Sequence, residues 1–455
     1  MLNLITRTHK RVASCQFFQP SKIGKSAICY VRKVGYKKLI FVFVQILIII
    51  AFTLPAHADT FNAEGFLTTT SELDDIRLRA LNNEPPHSDN VRDVLVEAEK
   101  AWPYPNHGVS YTTTTVNGAK LCHRENDSVN RERVLHSAAQ LIYGKVLAFY
   151  FTREGIYAKE ARDLIKELTQ SDGFKYVNGV VTYNGANQCS LALSWLVPLL
   201  IESAILLEGY PGWTDWHKNE LQYWLAVEVY PLTAAISRTR KNNWGNAASF
   251  ASWSIGHYLN NIQDTDPDFR LEEFYPQRLS LLPRSAKYQH GEMQLKRIGN
   301  EWAGDSQCAD FGVQSHGGIP DELRRGPDGE CTDLFLRSNN NAQYSYQQKT
   351  ISNLVYHAEA LKRHGHPRHK LYELELNSDV ETLLQAIHFV VQNPHSSDHS
   401  YDWEFWQIGT LRVANRTFNN SVLCDQIRKS RTRENIIGNS YLPYTKITHW
   451  EVCRD

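Results

Sequence analysis

Apolar positions recur at helical spacing over most of the chain. Val134/Leu135, Ala138, Leu141/Ile142 and Val146 keep the i, i+4, i+7 pattern, and Ile156, Ala161, Leu164/Ile165 and Leu168 repeat it. Each set predicts one amphipathic helix. Ser190–Glu208 is apolar nearly all round, the pattern of a helix buried on every side, and Pro198 within it predicts a kink. Two more helices are expected over Glu220–Ile236 and Asn246–Leu259. Ile351, Leu354/Val355, Ala358 and Leu361 mark another that stops at Gly365. Val380, Leu383/Leu384, Ile387 and Val390/Val391 mark another, with Ser378 and Glu381 as a capping box and Pro394 beyond its end. Ala63–Asn106 is mixed and Pro-containing and reads as a cap or edge segment, and the Asn-Gly turns of Tyr176–Gly185 read as a short hairpin or loop.

Consecutive helices joined by short polar connections predict one large all-α domain of helical hairpins. About 400 residues would ordinarily split into domains, yet no linker is evident. A ring of hairpins, whose helix ends line one cleft, reconciles the two.

Composition bounds the rest. The chain has 455 residues, 42% apolar and 22% charged, which excludes disordered, collagenous and multipass membrane classes. Its 49 basic and 49 acidic side chains cancel. The cancellation hides a split, because Met1–Ala58 carries nine Lys and Arg and no acid, leaving 40 basic against 49 acidic and a remainder at −9. Those first residues read as a leader. Lys37-Lys38 precede the apolar run Leu39–Leu54, followed by Pro55 and Ala56-His57-Ala58. We expect an export signal over 1–58, cleaved near Ala58, and a mature domain over 59–455. The run falls short of the roughly 18 residues of a spanning helix, so a signal anchor is the alternative. A secreted or periplasmic protein without a membrane segment after cleavage follows. Cys122, Cys189, Cys308, Cys331, Cys424 and Cys453 remain beyond the leader, allowing up to three disulfides or six buried thiols. Sequons at Asn126, Asn415 and Asn419 occur at about the chance rate.

Four groupings could carry chemistry. Asn242, Asn243 and Trp244 stand at a helix start after Lys241, where amides can meet a carboxylate and an indole can face a sugar ring, or simply cap the helix and fill the core. His316, Arg324, Arg325, Arg337, Tyr344 and Tyr346 gather between HGGIPDELRRG and NNNAQYSYQ. Arg neutralises a carboxylate and, with His, pushes a Tyr toward phenolate, although the same residues also make a solvated loop. His364, His366 and His369 lie at a helix stop without metal-ligand spacing and read as an exposed basic loop. Glu301, Asp305 and Asp310 could supply the two carboxylates of a hydrolase. No phosphate-cradling glycine loop, nucleophile elbow or zinc pattern occurs, so no cofactor or metal is expected. An acidic mature chain without a basic tract gives no reason to expect a nucleic acid.

In order, LSWLVPLLIESAILLE, KNNWGNAASFASWSI, GGIPDELRRG and AQYSYQQKTISNLVYHAEALKRHG resemble the landmarks of the alginate lyase superfamily of polysaccharide lyases. The similarity covers Asn187–Tyr372. The resemblance implies an (α/α) toroid that cleaves a β-1,4-linked uronic-acid polysaccharide, such as alginate, polymannuronate or glucuronan, by β-elimination. It maps carboxylate neutralisation to Asn243 and Arg325, and the general base and acid to Tyr344 or Tyr346, with the AQY context favouring Tyr344. Gln188, Trp195, Asn242, Trp244, Arg324 and Lys241 become candidate substrate contacts. Two departures stand out. Trp244 occupies the place where alginate lyases carry His, which makes His316 the first and His257 the second candidate for that role. Pro327–Asn341 appears as an insertion, which makes Arg337 a competitor to Arg325. The expected partner is an anionic polysaccharide. A hydrolase on the same toroid, or a secreted carbohydrate-binding protein without activity, are the alternatives.

Overall fold

The computed structural model describes residues 63–101, 113–116, 119–122, 131–170, 187–239, 243–261, 341–364, 371–373, 382–392, 403–430, 436–437, 442–450 and 453. The leader and the Tyr176–Gly185 segment lie outside them. Two helices, α1 (Thr70–Leu81) and α2 (His87–Ala98), come first. The segment expected as a cap or edge contains these two helices, and the reason is local. Thr69 and Glu72 form a reciprocal capping box that starts α1. A two-stranded antiparallel hairpin follows, β1 (Thr113–Val116) and β2 (Ala119–Cys122), with Val116 paired to Ala119.

The main body is built of hairpins. It comprises α3 (Arg131–Thr152), α4 (Gly155–Gln170), α5 (Asn187–Leu207), α6 (Asp215–Tyr223), a π-helical stretch Trp224–Val229, and α7 (Tyr230–Thr239). Then come α8 (Asn243–Asn261), α9 (Asn341–Arg363), α10 (Thr382–Gln392), α11 (Trp403–Phe418), α12 (Ser421–Ser430) and the single turn α13 (Thr445–Thr448). The helix expected over Glu220–Ile236 is present within an unbroken helical run from Asp215 to Thr239, whose middle turns are π-helical. Pro231 lacks an N–H and crowds the carbonyl four residues back, and the wider π turn lies immediately ahead of it. The all-apolar segment is one helix, α5, which runs through Pro198.

Register between helices reveals the plan. Phe250 of α8 touches Tyr356 of α9 with ring centroids 4.6 Å apart, and seven residues later His257 meets His364 at 4.1 Å. Helices α8 and α9 are therefore parallel. Ser352–Thr410 at 2.7 Å and Lys362–Thr417 at 2.9 Å show the same for α9 and α11. Trp195 packs near Ala247. Farther along both helices, Phe66 bridges Glu202 and Trp253, so α5 and α8 also run in one direction. Helices α4, α6 to α7, and α12 return between them. The pairings Lys145–Glu160 and Asn415–Cys424 fold symmetrically about the α3–α4 and α11–α12 turns.

The core is continuous across these helices. At the C-terminal end of the parallel set, the Glu202 carboxylate accepts backbone N–H groups of Phe66, Leu67 and Thr68 and holds the segment before α1 in place. Gly65 is required there because a Cβ would overlap that carboxylate. Glu72 extends the clamp by pairing with Arg363 and Arg416, at the ends of α9 and α11.

Cys424 and Cys453 form a disulfide with Cα atoms 5.3 Å apart, and the Asn415 amide donates to both sulfurs. The bridge pins the C-terminal tail to α12 across 29 residues. Cys424→Ser is expected to cost about 3–4 kcal/mol of stability by loop-closure entropy. Urea unfolding of this variant and of the wild type, each with and without reductant, checks this. A reductant-insensitive wild type would contradict it.

Candidate active site

Parallel helices put their N-termini at one end. That end carries Gln188 in the first turn of α5, Asn243 as the first residue of α8, and Tyr344 and Tyr346 in the first two turns of α9. Extending the α8–α9 register back from Phe250 and His357 sets Asn243 level with Thr350. Tyr346 then lies about 6 Å and Tyr344 about 9 Å nearer the opening along the axis. The two tyrosines are two positions apart, about 200° around a helix. Position 346 falls on the line of His357 and His364, which touch α8. Position 344 falls on the line of Lys362, which reaches α11. By helical register, position 346 rather than position 344 falls on the line of α9 that meets α8.

The amide ends are held in a small apolar nest. Leu191, Trp195 and Ala247 are buried together, with Trp244 partly buried against them. Trp195 is 5% exposed, the core placement that stands as the equal alternative to a sugar contact. On a helix that is apolar all round it supports Trp244 from below. Trp244 keeps an accessible part.

Three residues at this end escaped the sequence reading. Asn246, one turn beyond Asn243, is buried, and among the described residues neither polar atom of its side chain has a hydrogen-bond partner. Gln347 of α9 is fully buried in the same condition. Buried amides without partners are rare and costly, and in native structures they call for an explanation such as a bound polar group. The third is Lys349, whose Nζ lies 5.3 Å from the Trp195 ring centroid. The spacing of Asn243 and Asn246 on one helix face was a readable signal. The placement of Gln347 and Lys349 needs the register between helices.

The other candidates divide. His257 lies 14 positions along α8 from Asn243, about 21 Å. It stacks on Trp253 at 5.0 Å and packs against Phe66 and His364. It thus belongs to the opposite end and does not share the Asn243 opening. His364 joins that cluster, and burial and the adjacent Arg363 push its pKa down to about 4, so it is neutral near pH 7. Lys241, Asn242, Arg324, Arg325, His316, Arg337, Glu301, Asp305, Asp310, His366 and His369 lie outside the described residues. Among those described, no group of three or more His, Cys, Asp or Glu is placed to hold a metal, and no helix is long and apolar enough to cross a membrane.

A separate cavity of about 470 Å³ lies at the clamped end, lined by Glu72, Asp75, His87, Arg416, His449 and Trp450 among others. Burial lifts the Glu72 pKa, but the hydrogen bonds and charges of Arg363 and Arg416 outweigh it and hold the carboxyl at about 2. Burial, with Arg363 and Arg416, keeps His449 well below its usual range.

No family model matches the chain, and no curated protein does. Among solved structures it is similar to an alginate lyase from Bacteroides ovatus, with a TM-score of 0.55 over 85% of this chain and 99% of that one, at 15% identity. The likeness is one of architecture, and with it the hairpins described above are placed as an all-α (α/α) toroid, the fold expected from the order of the four sequence landmarks.

Proposed function

We propose that the chain is an exported polysaccharide lyase that cleaves a β-1,4-linked uronan by β-elimination. The observation that carries this reading is that α5, α8 and α9 begin at one end of the parallel set, with the buried amides Asn243, Asn246 and Gln347 in the first two turns of α8 and α9 near the positive helix ends. The fold shared with an alginate lyase supports it.

The C5 proton of a uronate is weakly acidic, so its removal needs the carboxylate neutralised as an enediolate develops. In this reading Asn243 donates to that carboxylate, with Arg325 or Arg337 supplying the positive charge. Tyr346 takes the proton as phenolate and returns one to the leaving O4. His316 completes the charge environment of the tyrosine. Trp244 and Gln188 contact the sugar, as do Asn242, Arg324 and Lys241. A metal is not called for in this scheme, because the amides and cations do the neutralising.

Incubation of the mature protein with alginate, polymannuronate and glucuronan tests the reaction class. Elimination is expected to produce the ultraviolet absorbance of a C4–C5 double bond. New reducing ends without absorbance would indicate hydrolysis instead, and neither signal on any uronan would count against an enzyme of this class.

A further inference from the structure

Trp216 and Tyr223 of α6 are 46% and 52% exposed, unusual for large aromatics. Asn219, also exposed, lies between them, and the three stand at i, i+3 and i+7 on one helix face. The inner face of the same segment is satisfied by Leu221, Trp213 and Trp224, which are buried. The two aromatic positions are about 10 Å apart along the axis, a span suited to alternate rings of a β-1,4-linked sugar chain.

The stripe is held in place. His217 sits edge-on to Trp216 at 4.8 Å, stacks near Trp213 at 5.9 Å, and bonds Thr214 through Nδ1 at 2.8 Å. Trp213 donates to Glu208 at 3.2 Å, and Lys218 pairs with Glu208 as well. From the neighbouring α4, Lys166 places Nζ 5.1 Å from the Trp216 ring centroid and makes no ion pair among the described residues. Asp163 beside it is neutralised by Lys159 and Arg162. Asp215 and Glu220 on α6 limit the net attraction, so ring stacking carries most of the affinity and Lys166 supplies the preference for an anion.

We propose that Trp216, Asn219 and Tyr223, with Lys166, form a surface platform that holds a uronan chain away from the active-site opening. The platform rests on the uronan reading above. It begins just past the C-terminal end of α5, whereas Asn243 is at the opposite end of the parallel helices, so the two sites bind different stretches of one polymer. CH faces of pyranose rings lie on the aromatics, the Asn219 amide meets hydroxyl groups, and Lys166 meets a carboxylate.

Affinity electrophoresis in gels cast with alginate, polymannuronate, glucuronan or a neutral hydroxyethylcellulose tests it, run beside turnover of a short uronan oligosaccharide. Wild type is expected to be retarded by at least one uronan and not by the neutral polymer. The Trp216→Ala/Tyr223→Ala variant should bind that uronan about tenfold more weakly, with a raised KM on polymer and unchanged kcat and oligosaccharide turnover. Lys166→Gln should weaken binding less, and Trp216→Phe should largely restore it, which also controls for folding. Equal retardation by the neutral polymer, or full retention by the double variant, overturns the platform. A wild type that turns over uronan without retardation also removes the platform and leaves the lyase reading standing, while absence of both signals removes both. Light scattering that shows a dimer broken by Trp216→Ala would assign the stripe to self-association and likewise overturn it.

Discussion

Tyr346→Phe is expected to lower elimination on uronan by roughly 10²–10⁴-fold, the usual contribution of a positioned proton-transfer group, with little change in KM. Tyr344→Phe should stay within a few fold of wild type. The reason is geometric: positions 344 and 346 occupy opposite sides of α9, and the line through 346 continues to His357 and His364, which pack on the helix that starts at Asn243. Removing the hydroxyl takes away the proton acceptor and leaves the ring to pack. Asn243→Ala should cost about 10²–10³-fold in kcat through loss of a donor to the developing enediolate. Steady-state rates followed by ultraviolet absorbance decide between the tyrosines. A Tyr344→Phe variant that loses activity while Tyr346→Phe keeps it would reverse the assignment, and full activity in both would remove tyrosine from the mechanism.

The second large effect is on stability against pH. Burial lifts the Glu202 carboxyl from 4.5 to about 7, against Arg363 and the three N–H donors of the segment before α1, which lower it. A raised folded-state pKa means that the native protein holds a proton the unfolded chain releases. The contribution is fully present below pH 4.5 and is lost as pH rises through 7. Relative to Glu202→Gln, the wild type should therefore gain about 3 kcal/mol between pH 7.5 and pH 4.5. The difference between the two proteins is the readout, because His364 and His449 have lowered pKa values and take stability away as pH falls below 6.5. Urea denaturation at half-unit steps of pH measures it, and parallel curves for the two proteins would refute a titrating Glu202. Glu72 acts in the opposite sense. Its lowered pKa supplies stability above pH 4.5 that disappears as pH falls toward 2, so Glu72→Gln should flatten the acid limb.

The helices of the main body up to α10 were legible because each buries one stripe or, in Ser190–Glu208, every side, whereas α11 and α12 were not anticipated. What escaped had either a short signal or a non-local cause. The capping pair Thr69 and Glu72 was written in the sequence, yet the polar, Pro-containing surroundings of α1 and α2 masked it. The strands β1 and β2 flank Asn117-Gly118 in the sequence, the same dipeptide signal that pointed to Tyr176–Gly185. The π stretch depends on Pro231, whose effect falls on the preceding turn and leaves the apolar period unchanged. At the candidate site, Asn243 and the tyrosine pair could be named from local motifs. That His257 lies at the wrong end, that Trp195 is core, and that Gln347 and Lys349 join the opening all follow from the register between helices, which no single segment encodes.

The clamp at the far end also constrains the order of assembly. Glu72 meets Arg363 and Arg416 across 291 and 344 residues, and Asn90 reaches the carbonyl of Lys446 across 356. These contacts cannot form until nearly the whole chain has been made. Helices α1 and α2, synthesised early, must wait for partners translated last, so closure of the structure is a late, high-contact-order event. A chain shortened at its C-terminus would release its N-terminal helices first.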